Sequence, residues 1–187
     1  VMVITGGGEP SLWREGKLRI YDLIMEIRKH MNDIPLGIMS NGTFLMPEAA
    51  VEQLKWLRIS INSFDRDQYK IVHKLDKFDL VIKNITEYAK MNLGELGIGF
   101  VYTQRTTKDI ISTLKTINEK IFSHLSEKDI KKINVQFRPE ADPKTYSRHF
   151  LDSKLVNELN SQLENCDPAI QKFANEKTNL YQVFNNS

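Results

Sequence analysis

Val1-Met2-Val3-Ile4-Thr5-Gly6-Gly7-Gly8-Glu9-Pro10 opens the chain with an apolar run that ends in glycines, a carboxylate and a proline. A short continuous apolar run reads as a strand buried on both faces. In parallel sheets, ligands bind beyond the carboxyl ends of the strands. Glycines at such an end let the backbone approach a ligand closely. Glu9 sets a carboxylate at that edge, suited to an ammonium group, and Pro10 fixes the exit and removes one amide donor. A phosphate-binding loop fits poorly: there is no Gly-x-x-x-x-Gly-Lys-Ser/Thr, and a carboxylate there would repel phosphate. A purely structural glycine turn stays open on these residues alone. The run is already underway at Val1, without an initiator methionine, so the expectation is a fragment that has lost preceding residues.

Working outward, strands and helices alternate. Residues 17–29 place Leu18, Tyr21, Leu23, Ile24 and Ile27 on one helical face. Residues 36–40 form a short apolar strand before the turn-forming Asn41-Gly42. Pro47 suits the first turn of a helix running to about residue 54. Residues 57–62 alternate as a strand, and Asp65 with Gln68 has the pattern of a capping box. A helix over 78–91, a strand over 97–103, a helix capped by Thr106 or Thr107 and running to about 122, and a strand over 133–137 follow. Five strands with four intervening helical regions predict an α/β fold with a parallel sheet. A closed eight-unit barrel needs about 250 residues, so this chain makes part of one at most. Periodicity does not separate a curved partial barrel from a flat doubly wound sheet. From residue 144 the alternation stops: Leu151, Leu155, Leu159 and Leu163 recur at helical spacing, and Phe173, Tyr181 and Phe184 mark a weaker helical stretch. The expected organisation is a barrel-like unit over 1–143 and a helical extension over 144–187.

Composition excludes several classes. The 187 residues are 41% hydrophobic and 27% charged, an ordinary globular balance. With 26 basic and 24 acidic residues the net charge is +2, which leaves no electrostatic footprint for nucleic acid. No apolar run approaches the roughly 20 residues of a membrane helix. Cys166 is the single cysteine, so no intrachain disulfide can form, and a reducing, cytoplasmic setting is the expectation. His30, His73, His124 and His149 show no ligand spacing.

Three motifs in order carry a family likeness. Gly7-Gly8-Glu9-Pro10, then Met39-Ser40-Asn41-Gly42-Thr43, then Ile59-Ser60-Ile61-Asn62 resemble the successive strand ends of the radical S-adenosylmethionine (SAM) superfamily. Tyr69, Ile71 and His73 resemble the stretch that often follows. The likeness covers roughly the first 140 residues and implies a partial (β/α) barrel lacking its first strand–helix unit. It implies that Glu9, with the backbone of Gly7 and Gly8 and with Pro10, meets the SAM ammonium. Ser40 would serve the methionyl carboxylate or stay structural, Asn41 beside it would belong to the same cofactor site, and Ser60 and Asn62 would serve the ribose or carboxylate. The family often has Asp where Asn62 stands; an amide hydrogen-bonds a hydroxyl but supplies no negative charge. Arg138, ending the last strand before Pro139, could grip a substrate carboxylate or phosphate, or form a surface ion pair with Glu140.

The resemblance also implies a 4Fe–4S cluster on a CxxxCxxC run, a reductant such as flavodoxin or ferredoxin, and SAM cleavage to a 5′-deoxyadenosyl radical that abstracts a substrate hydrogen. This sequence has no such run, and Cys166 lies far downstream. The cluster ligands are therefore expected upstream of Val1, which makes the fragment inactive alone. One rival is a cluster-less, non-catalytic SAM-fold binding or scaffold domain. Another is a barrel aldolase or isomerase with Glu9 as base, which needs a second acid or a lysine at the same edge. Lys55 and Arg58 come nearest, and neither stands at a strand's carboxyl end.

Overall fold

The computed structural model describes residues 1–5, 8–103, 106–140 and 153–185. Gly7, Leu151 and the boundary expected at 143/144 lie outside the described residues. Five strands form one parallel sheet in chain order: β1 (Met2–Ile4), β4 (Leu36–Ser40), β5 (Trp56–Ser60), β6 (Leu96–Tyr102) and β7 (Ile133–Pro139). A two-stranded hairpin, β2 (Arg14–Glu15) and β3 (Leu18–Arg19), stands apart from it. Helices α1 (Ile20–His30), α2 (Glu48–Val51), α3 (Arg66–His73), α4 (Phe78–Lys90), α5 (Ile110–Lys120) and α6 (Glu127–Lys131) lie in the crossovers. Beyond the sheet come α7 (Ser153–Glu164), α8 (Pro168–Lys177) and α9 (Leu180–Asn185).

The two-residue period of each strand sorts the sheet into two faces. Leu36 and Ile38, Leu57 and Ile59, Leu96, Ile98 and Phe100, and Val135 and Phe137 are buried on one face. Ile24 of α1, Val81, Ile85 and Tyr88 of α4, and Leu114 and Ile117 of α5 close over that face. Each such aliphatic side chain contributes about 1.5–3 kcal/mol by leaving water. The opposite face carries Gly37 and Met39, Arg58 and Ser60, Gly97 and Gly99, then Asn134, Gln136 and Arg138. It is the more polar face of the sheet.

Local chemistry moves several boundaries. The helix expected over 17–29 begins at Ile20, because Gly16, at φ 59°, turns residues 14–19 into the hairpin. The backbone N–H of Arg19 then donates to the Asp22 carboxylate at 2.8 Å, which holds the start of α1. Asp65 does cap α3, accepting from the N–H of Gln68 at 2.8 Å. The Asp65 N–H, however, goes to Ser63 Oγ at 3.1 Å, so Ser63 does what the capping box assigned to Gln68. The strand expected to be buried on both faces is an edge among the described residues: there β1 pairs with β4 alone, and Val3 keeps 43% of its surface exposed.

The far edge is closed by side-chain chemistry. Asn179, between α8 and α9, accepts from the Phe137 N–H at 2.7 Å and donates to the Phe137 carbonyl at 2.8 Å. One amide thus covers both backbone groups of an edge residue, which an adjacent strand would otherwise do. Phe173 of α8 meets Phe122 edge-on with ring centroids 4.6 Å apart, so the C-terminal helices share the core of the sheet. No helix among the described residues is long and apolar enough to cross a membrane.

Candidate functional site

Glu9 is the organising residue at the carboxyl edge of the sheet. It stands at the N-cap of a 3-10 turn, Pro10–Leu12, where the carboxylate accepts from the Ser11 N–H at 3.0 Å and the Ser11 hydroxyl at 2.5 Å. The same oxygen, Oε1, accepts from Ser40 Oγ at 2.7 Å, and Oε2 accepts from the Asn41 N–H at 2.5 Å. Four donors therefore converge on one half-buried carboxylate and tie the exit of β1 to the exit of β4. Charge-assisted bonds of this kind are roughly twice as strong as neutral ones. Among the described residues Oε1 accepts three bonds and Oε2 one, so an acceptor position on Oε2 remains that matches an ammonium donor.

The turn after β4 is equally determined. Ser40 Oγ accepts from the Gly42 N–H at 3.0 Å while it donates to Glu9. Asn41 Oδ1 accepts from the Thr43 N–H at 2.9 Å and the Thr43 hydroxyl at 2.7 Å, an Asx turn. Gly42 has φ 77°, and a Cβ there would sit 2.7 Å from Ile59 Cγ2, so both conformation and space demand glycine. Its carbonyl accepts from the buried Asn84 amide at 2.8 Å. Tyr88 completes the support, donating to the Phe44 carbonyl at 2.8 Å and accepting from the Met46 N–H at 2.9 Å. Burial pushes the Tyr88 phenol up to about 12.

The structure brings Glu9, Ser40 and Asn41 into direct contact. Ser60 and Asn62 lie one strand further along. Ser60 is half-buried on the polar face, level with Gly99. Asn62 is left-handed, at φ 58°, and its Oδ1 accepts from the Val101 N–H at 3.3 Å. His73 Nε2 donates to the Ile61 carbonyl at 2.7 Å and stacks on Tyr69 at 4.4 Å, holding the end of β5 in place. Gly8 is exposed, and a Cβ there would meet nothing within 4 Å, so room is all that glycine provides. Pro10 and Glu9 border a cleft of about 310 Å³ with Ile4, Trp13, Ile20 and Leu23. Arg138 makes no ion pair with Glu140.

Sequence reasoning missed Ser11, Asn84 and Tyr88. Ser11 had a legible signal, because a carboxylate two residues before it and Pro10 between them form an N-cap pattern. Asn84 and Tyr88 sit on a helix whose apolar period conceals what their polar tips reach.

No family model matches the chain. Over 91 residues it is 32% identical to a probable GTP 3′,8-cyclase of Pyrococcus abyssi, covering 46% of this chain and 27% of that protein. Among solved structures, it superimposes on Streptococcus suis SuiB bound to S-adenosylmethionine with a TM-score of 0.50. That match has 18% identity and covers 85% of this chain and 35% of that one. It superimposes on anSMEcpe with bound AdoMet at a TM-score of 0.55 and 20% identity, over 95% of this chain and 49% of that one. The fold is the partial α/β barrel that these two solved chains share. The strand ends that carry Glu9, Ser40 and Ser60 are successive positions along the sheet. The chain spans about a quarter of the curated relative and less than half of either solved chain.

Cys166, the single cysteine, is buried at the end of α7, where its thiol donates to the Gln162 carbonyl at 3.2 Å. Among the described residues no group of three or more His, Cys, Asp or Glu side chains could hold a metal ion. These residues do not fit an iron–sulfur cluster, which is held by cysteine thiolates.

Proposed function

We propose that this chain is the SAM-binding wall of a radical SAM enzyme. The observation that carries the reading is the Glu9 carboxylate, fixed by Ser11, Ser40 and Asn41 with one acceptor position of Oε2 left over. In this reading Glu9 takes the SAM ammonium, with the backbone of Gly7 and Gly8 alongside and Pro10 fixing the exit. Ser40 and Asn41 act through Glu9, since their hydroxyl and N–H are directed to it. Ser60 offers its hydroxyl, and Asn62 the amide nitrogen left free by its bond to Val101, to the ribose or the methionyl carboxylate. Such fixed donors and acceptors orient a cofactor without reorganisation at the moment of reaction.

One-electron cleavage of SAM to a 5′-deoxyadenosyl radical needs a 4Fe–4S cluster and a reductant such as flavodoxin or ferredoxin. The residues described here do not hold that cluster, so the chain's own part is binding and orienting SAM. Alone, it is inactive. The cluster cysteines, the cytoplasmic setting and the division into a barrel unit and a helical extension from 144 belong to the same proposal. The name of the curated relative makes GTP the first substrate to assay.

A second reading, a cluster-less binding or scaffold domain, is favoured by the lone cysteine. One experiment separates the two. The complete product of the native gene is reconstituted with iron and sulfide, reduced, and assayed for 5′-deoxyadenosine. Formation of 5′-deoxyadenosine supports the enzyme; SAM binding without cluster uptake or product supports the scaffold.

A further inference from the structure

The polar face of the sheet holds a second constellation, one that the SAM reading leaves unused. Arg58 of β5 and Arg138 of β7 flank β6: Arg58 pairs in register with Gly97 and Arg138 with Val101, and Gly99 lies between those two positions on the same face. A Cβ at Gly99 would lie 3.5 Å from Arg138 Nη2 and 3.6 Å from Arg58 Cδ, so the two side chains meet above that glycine. Neither forms an ion pair among the described residues. The Nε atoms of both are buried and without a hydrogen-bond partner, as is Oδ1 of Asn134, which shares a register step with Gly97 on the same face. A cleft of about 240 Å³ opens beside Arg58, bordered by Trp56 and Glu95. The Arg58 guanidinium lies 5.8 Å from the Trp56 ring centroid. Burial, and then the charge of Arg138, lower the Arg58 pKa, with Glu95 opposing them.

Two guanidinium groups held together are unfavourable by themselves, and the one carboxylate beside them, Glu95, forms no ion pair with either and accepts from the Asn134 amide instead. Buried charges are ordinarily paired, and a buried donor without a partner costs about 1–3 kcal/mol. The arrangement becomes favourable when an oxyanion enters, because each guanidinium presents planar, parallel donors that match carboxylate and phosphate oxygens. Glycine at 97 and 99 keeps the floor between them clear. Ser60 stands level with Gly99, and the Asn62 N–H donates to the Gly99 carbonyl at 3.4 Å. The arginine pair is therefore beside Ser60, on the same face of the sheet.

We propose that Arg58 and Arg138 form an oxyanion clamp for the substrate, which is a small molecule bearing a carboxylate or a phosphate. This rests on the SAM-wall reading and adds the substrate's chemical class to it. The test uses the chain with ¹⁵N-labelled arginine, following the Nε–Hε resonances and assigning them by Arg58→Gln and Arg138→Gln. Inorganic phosphate and succinate are titrated separately, with chloride at equal ionic strength as the control. The expected result is a saturable shift of both resonances with phosphate, with succinate or with both, which also names the anion. Either glutamine variant should weaken that binding by about tenfold or more, since a charged fork is lost. Arg58→Lys and Arg138→Lys, which keep the charge, control for a variant that fails to fold and should weaken binding less. SAM affinity should not change in any of the variants. Shifts that do not saturate, or that chloride reproduces, overturn the clamp. So does competition between SAM and the anion, which would assign the arginines to the cofactor. Failure of the wild-type chain to bind SAM sinks the wall reading instead, and the anion titration reports that separately.

Discussion

The Ser40 hydroxyl donates a 2.7 Å hydrogen bond to the Glu9 carboxylate across 31 positions of sequence. That bond joins the ends of two neighbouring parallel strands at the edge where such sheets bind ligands. It also sets the direction of the carboxylate, because Oε1 is occupied from the sheet side and from Ser11 while Oε2 keeps a free position. The edge is thus organised by bonds among the chain's own residues.

Removing this bond should cost more than one interaction. In Ser40→Ala, Glu9 loses a donor and the buried Gly42 N–H loses its acceptor. An unsatisfied buried donor costs about 1–3 kcal/mol. Urea denaturation should show a loss of that size with an unchanged m-value, and SAM affinity should fall in parallel. Full stability in the variant would mean that water replaces the hydroxyl.

The support behind the turn predicts an alkaline weakness. Burial first, and then the Glu9 charge, push the Tyr88 phenol up to about 12, opposed by the bond from Met46. Burial raises Tyr69 and Tyr102 as well. An unfolded tyrosine titrates near pH 10, so above that pH the native state binds more protons than the unfolded chain. Stability is complete below about pH 10 and is lost as pH rises toward about 12. Denaturation midpoints across that window should fall, and Tyr88→Phe should fall less steeply from a lower starting point.

Cys166 should be inert toward metal. Its thiol is buried and its hydrogen goes to the Gln162 carbonyl. Iron and sulfide added to this chain under reducing conditions should produce no cluster absorption in the visible range. Cys166→Ala should behave identically. A brown chromophore that disappears in the variant would contradict this placement.

The parts of the fold that were legible in sequence are those set by period and local chemistry. Leu57, Ile59 and Ile61 alternate because one face of β5 meets helices, and Asp65 announces α3 because its carboxylate reaches the next turn. The hairpin over Arg14–Glu15 and Leu18–Arg19 was masked by apolar spacing that continued the helix, although Gly16 marks its turn. The edge character of β1 was not legible, since exposure depends on what lies beside a strand. Glu9, Ser40 and Asn41 were readable as strand-end residues, but their mutual bonds needed the register of β1 against β4. Arg58 was set aside as a mid-strand residue, because its neighbour Arg138 stands two strands and 80 positions away.

Titration of SAM into the wild-type chain and into Glu9→Gln, followed by calorimetry, tests the reading of this edge most directly. 5′-Methylthioadenosine, which lacks the amino-acid tail, serves as the reference ligand. SAM should bind the variant about tenfold more weakly or worse, because a charge-assisted contact to the ammonium is lost, while the reference binds both proteins alike. Equal SAM affinity in the two proteins would show that the carboxylate does not hold the ammonium.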